Sequence, residues 1–130
     1  MIGYTLLGTN DLDRAKHFYD ALFGAVGIRR MTETPQMCAW GPSWDVPMFG
    51  VTLPYDQRPA TIGNGSMLAL VQPNRAQVDT LHAKALQLGG ADEGGPGVRG
   101  EEGEEAFYAA YVRDLDGNKL CFYCVGAADG

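Results

Sequence analysis

The stretch that most limits what this chain can fold into lies near its end, from Phe107 to Cys124. Phe107, Ala109 and Tyr111 alternate with Tyr108, Ala110 and Val112, which is the two-residue period of a pleated strand. Asp114-Leu115-Asp116-Gly117-Asn118 follows. Asp and Asn side chains bond their own backbone in turns, and glycine reaches positive φ at little cost. Leu120, Phe122 and Cys124 then alternate with Cys121, Tyr123 and Val125, so the chain leaves the turn as a second strand. A hairpin of this kind needs further strands beside it and a layer over its apolar face.

The rest of the chain supplies both. Residues 2–8 read as a strand. Thr9, Asn10 and Asp11 offer acceptors for a helix start, and Leu12, Ala15, Phe18, Tyr19, Leu22 and Phe23 recur at helical spacing. This predicts a helix over about 11–23, stopped by Gly24. Strands are expected at 28–33, 36–40 and 48–53, punctuated by Pro35 and by Gly41-Pro42-Ser43. Trp40 and Trp44 flank that second cluster, where they either line a pocket or pack on the sheet. Residues 54–65 are a polar linker with two Pro and two Gly. A strand at 66–72 follows, then a helix over about 74–88. Asn74 and Gln77 cap that helix, and Val78, Leu81, Ala85 and Leu88 mark its buried face. The Gly- and Glu-rich stretch 91–105 reads as loop, with one irregular strand at 97–100.

The order is thus strand, helix, three strands, repeated. Tyr4 of the first copy falls on Met67 of the second, and Asn10 on Asn74. The expected fold is α+β: two βαβββ modules whose curved mixed sheets enclose a central cavity, with the helices outside. Residues 1–130 form one domain on this reading, with module one about 1–55, a linker about 54–65 and module two about 66–125. Hydrophobic residues make up 45% of the chain, ample for a core. The net charge of −6 argues against nucleic acid and anionic membranes, which call for a basic face. No apolar run reaches the roughly 20 residues that cross a bilayer. The start, Met1-Ile2-Gly3-Tyr4, lacks signal-peptide patterning. Three cysteines, Cys38, Cys121 and Cys124, read as reduced thiols, so a cytoplasmic location is expected.

Three segments carry a resemblance to a known family. They are Asp11-Leu12-x-x-Ala15-x-x-Phe18-Tyr19-x-x-Leu22-Phe23-Gly24, the approach Arg58-Pro59-Ala60-Thr61-x-Gly63-Asn64-Gly65, and the final hairpin. Together they resemble the vicinal oxygen chelate superfamily of glyoxalase I, bleomycin-resistance proteins and extradiol dioxygenases. In the related hairpins a Pro stands where this chain has Leu115. The resemblance implies a divalent metal in related proteins, held by His or Gln from the first strand, Glu from the fourth, His from the fifth and Glu from the last. Carried over, those positions fall on Tyr4, within 49–51, on Met67 and on Cys121. Phenol, thioether and thiol suit a hard cation poorly. No metal or other cofactor is therefore expected, and no catalytic residue is identified.

His17 and His82 lie on the helices, as surface or boundary residues outside the cavity. Arg99 and Arg113 are candidate anion contacts near its mouth, although Arg113 beside Asp114 also reads as a structural ion pair. The expected function is binding or sequestering a small molecule in a cavity lined by Tyr4, Trp40, Phe49, Met67, Tyr108 and Cys121, and the chain's acidity suits a cation. The alternative is a glyoxalase- or lyase-type enzyme acting on a thiol adduct or vicinal-oxygen substrate through Glu105 or Tyr108. A homodimer is expected, as in many relatives.

Overall fold

The computed structural model describes residues 1–128, so the last two positions of the expected 1–130 domain lie outside it. Eight strands and two helices follow in the order β1 (Tyr4–Gly8), α1 (Leu12–Gly24), β2 (Arg29–Glu33), β3 (Met37–Gly41), β4 (Met48–Thr52), β5 (Leu68–Val71), α2 (Arg75–Gln87), β6 (Ala91–Arg99), β7 (Phe107–Arg113) and β8 (Lys119–Val125). They form two four-stranded mixed sheets, β1-β4-β3-β2 and β5-β8-β7-β6. In each sheet the strand before the helix pairs in parallel with the last strand of its module, β1 with β4 and β5 with β8. The remaining pairs are antiparallel. This is the two-module α+β architecture that the strand and helix pattern predicts.

The helices start where short polar side chains satisfy the first free backbone donors. Asp11 Oδ1 accepts from the Arg14 amide at 3.0 Å, and Asn74 Oδ1 accepts from the Gln77 amide at 2.9 Å. Gly24 is the last helical residue of α1 rather than its stop; the chain reverses at Gly27, with φ of 77°. The predicted strand at 97–100 proves to be the end of the longer β6, which begins at Ala91. Its run Gly94-Gly95-Pro96-Gly97 looks like loop, yet it pairs with β7 through two register shifts. The glycines leave room above the strand: a Cβ at Gly94 would lie 3.1 Å from the Tyr111 ring and 3.3 Å from Arg99 Nη2.

Both helices cover the same side of the two sheets and share one core. Tyr19, Leu22 and Phe23 of α1, Val78 and Leu81 of α2, and Leu120 and Phe122 of β8 belong to a single buried cluster. A polar clasp closes this core at the β7–β8 turn. The buried Asp114 carboxylate accepts from the Tyr19 hydroxyl at 2.5 Å, the Asn118 side-chain amide at 3.0 Å, and the Asp116 and Asn118 backbone amides at 2.9 Å each. Asn118 Nδ2 also donates to Gly8 O at 2.9 Å, and Thr9 Oγ1 donates to Asp116 Oδ2 at 2.6 Å. Burial, followed by the Asp114 charge, holds the Tyr19 phenol well above its ordinary pKa, so it remains a donor. These bonds join the first module to the second.

Removing the Tyr19 hydroxyl deprives a buried carboxylate of a donor. Tyr19→Phe should lower unfolding stability by about 1–3 kcal/mol, read from urea denaturation, with an unchanged m-value.

Candidate functional site

Strand alternation divides each sheet into a helix-covered face and an open face. Phe49 and Val51 pack under the helices, so Met48, Gly50 and Thr52 look the other way. Leu6 lies over Gly50 on that open side, where a Cβ would sit 2.7 Å from Leu6 Cδ2. Tyr4, two residues earlier on β1, shares its face. In the second sheet Leu120, Phe122 and Cys124 belong to the shared core, leaving Lys119, Cys121 and Tyr123 on the open face.

The six cavity candidates divide accordingly. Tyr4 and Met67 are 63% and 47% exposed, and Cys121 is 1% exposed between Ala69 of β5 and Tyr111 of β7. The other three lie on the opposite side from the one expected. Trp40 and Phe49, 1% and 5% exposed, pack in an aromatic cluster with Tyr19 and Phe23. The Trp40 indole donates to Asp20 Oδ1 at 2.9 Å. Tyr108 lies against α2: its hydroxyl donates to Asp79 Oδ1 at 2.5 Å and the Arg75 guanidinium sits 4.8 Å above its ring. The bond to Asp79 and partial burial push its phenol up to about 12. The physical reason is parity: 40, 49 and 108 fall on the half of the alternation that the helices cover, and large aromatics are drawn to that drier side.

His82 is more buried than its expected boundary position, and its Nε2 lies 3.0 Å from Asp92 Oδ1; His17 is exposed. Glu105 is exposed in the segment between β6 and β7. Arg113 forms an ion pair with Glu93, not with Asp114, and donates to Gly117 O at 2.9 Å.

A cavity of about 220 Å³ opens at the seam between the modules. Thr5 and Leu7 of β1 form one wall, Ile62 and Met67 of the linker region another, and Leu68, Asn118 and Lys119 close it. Of the six candidates only Met67 lines it. Beside it the Tyr111 ring carries two cations, Lys119 Nζ and Arg99 Cζ, each 5.5 Å from the ring centre. Lys119, Tyr111 and Ile62 are absent from the expected cavity lining. Alternation does put Lys119 and Tyr111 on the face of Cys121, so that part was readable. The approach of Ile62 depends on the path of the linker, which composition does not specify.

The side chains at the positions that the resemblance assigns to metal ligands suit a hard cation poorly. Burial pushes the Cys121 thiol up, and the Tyr111 hydrogen bond and the Arg99 and Lys119 charges only partly oppose this. The group therefore stays a protonated thiol near neutral pH, whereas metal binding needs the thiolate. Tyr4 offers an exposed phenol and Met67 a thioether. Among the described residues no cluster of three or more His, Cys, Asp or Glu could hold a metal ion.

The model of the Glyoxalase/Bleomycin resistance protein/Dioxygenase superfamily matches residues 1–122. The chain belongs to that superfamily. A glyoxalase/bleomycin resistance protein from Albidiferax ferrireducens T118 is similar in structure, with a TM-score of 0.84 and 37% identity over 95% of this chain and 98% of that one. A glyoxalase/bleomycin resistance protein/dioxygenase from Alicyclobacillus acidocaldarius shares the fold, with a TM-score of 0.66 and 18% identity over 96% of this chain and 91% of that one. So does a lactoylglutathione lyase from Agrobacterium tumefaciens, with a TM-score of 0.66 and 20% identity over 95% and 92%. No curated protein matches the chain. Within the superfamily fold, then, the open face carries Tyr4, Met67 and Cys121 at the positions that the resemblance assigns to metal ligands. Among the described residues, no helix is long and apolar enough to cross a membrane.

Proposed function

We propose that this superfamily member binds or sequesters a small molecule without a metal, on the open side of its sheets, as a single cytoplasmic domain. The observation that carries the reading is the donor chemistry at Tyr4, Met67 and Cys121: an exposed phenol, a thioether, and a thiol that burial keeps protonated. The shared core, which draws on both modules, supports one domain. The lyase-type alternative has less behind it. Tyr108 is engaged with Asp79 on the helix side, and Glu105 is exposed in the loop before β7.

A second copy of the chain is part of this reading. Tyr4, Leu6, Val71 and Val125 are large apolar residues left exposed at β1, β5 and β8. Exposed apolar patches of this kind commonly mark association surfaces. Light scattering at micromolar concentration should give a homodimer; a monomer there opposes the assignment.

Protein purified without chelator should carry no stoichiometric Ni, Zn, Mn or Fe, and hemithioacetal turnover should stay flat when each ion is added. One bound equivalent, or ion-dependent turnover, overturns the metal-independent reading.

A further inference from the structure

A net charge of −6 conceals an uneven distribution. Five carboxylates are paired with Lys or Arg: Asp116 with Arg14, Glu33 with Lys16 and Arg30, Asp20 with Arg30, Glu93 with Arg113, and Glu102 with Arg75. Lys119 and Arg99 have no carboxylate partner among the described residues. Arg99 is held instead by carbonyls, donating from Nη1 to Gly97 O at 2.9 Å and from Nη2 to Gly95 O at 2.7 Å. Lys119 meets the Tyr111 ring and lines the seam cavity. Glu93 of the neighbouring strand is paired with Arg113. Two uncompensated cations on one ring, beside a mostly apolar hollow, make a site complementary to a negative head on an apolar body.

Resting on the small-molecule reading above, and refining it, we propose that the seam cavity takes a small organic acid. Its oxyanion meets Lys119 Nζ, with Arg99 as the second positive charge across Tyr111. Its apolar body lies among Leu7, Ile62, Met67 and Leu68. The cavity of about 220 Å³ falls below the roughly 300–1,000 Å³ of drug-sized ligand sites, so a short acid fits and a large conjugate does not. The preference for an anion is the opposite of what the chain's overall acidity suggests.

The test is calorimetric titration with hexanoate, hexanamide and hexylammonium, which share a body and differ in head charge. Hexanoate should bind at least tenfold more tightly than hexanamide, and hexylammonium more weakly still. Lys119→Met should abolish the preference for the acid over the amide, and Arg99→Gln should reduce that preference several-fold. A thermal melt of each variant confirms folding. Equal affinity for acid and amide overturns the anion assignment and leaves the small-molecule reading standing, as does an unaltered preference in Lys119→Met. Binding by none of the three overturns the anion assignment. Retained binding of other small molecules in a mixed-compound screen then distinguishes that failure from failure of the broader reading.

Discussion

The Asp114 carboxylate, buried at the β7–β8 turn, is the point on which the two modules depend. Four donors converge on it, one of them the Tyr19 hydroxyl from α1 of the other module. A buried charge left without such partners is costly, and removing one donor exposes that cost. The turn holds Asn118 and Asp116 in place, and these in turn hold Gly8 and Thr9 at the end of β1. The linker is secured at the same junction: Asn10 accepts from the Ala60 amide at 2.6 Å and donates to Ala60 O at 3.3 Å. The end of β1 and the start of β8 are therefore placed by one polar knot.

That knot separates scaffold from chemistry. Its members sit at the turn and the β1–α1 junction, not on the open face, so they constrain the fold whatever the open face carries. The open-face positions at Tyr4, Met67 and Cys121 make none of its hydrogen bonds. Lys119 follows the turn directly, and its ammonium reaches the seam cavity because Asn118 anchors the strand's first residue beside β1. The hollow at the seam is mostly apolar, with the Lys119 cation in its lining.

Much of this was legible in the residues. Helix caps at Asp11 and Asn74, the apolar stripe of α1, and the alternation of β7 and β8 are local signals, and each element formed where they put it. The Asp-x-Asp-Gly-Asn turn was readable as a turn, but not as an anchor. Its bonds to Tyr19 and Thr9 join residues far apart in sequence, which no local pattern reports. Glycine concealed β6, because a strand that must pass beneath Tyr111 and Arg99 looks like a loop in composition. Trp40, Phe49 and Tyr108 are expected in the cavity from the sequence, yet they lie on the helix side. Counting the two-residue period against Cys38, Val51 and Ala110, which are buried in the shared core, places them on the helix side.

The metal-free reading proposed above holds that the strands stand as the resemblance implies and that Tyr4, Met67 and Cys121 replace side chains able to hold an ion. Restoring donors tests this most directly. Titrating the triple variant Tyr4→His, Met67→His and Cys121→Glu with Ni²⁺ or Zn²⁺ should show one saturable site that the unaltered chain lacks. A triple variant that folds yet takes up no ion, or an unaltered chain that binds one as tightly, would contradict it.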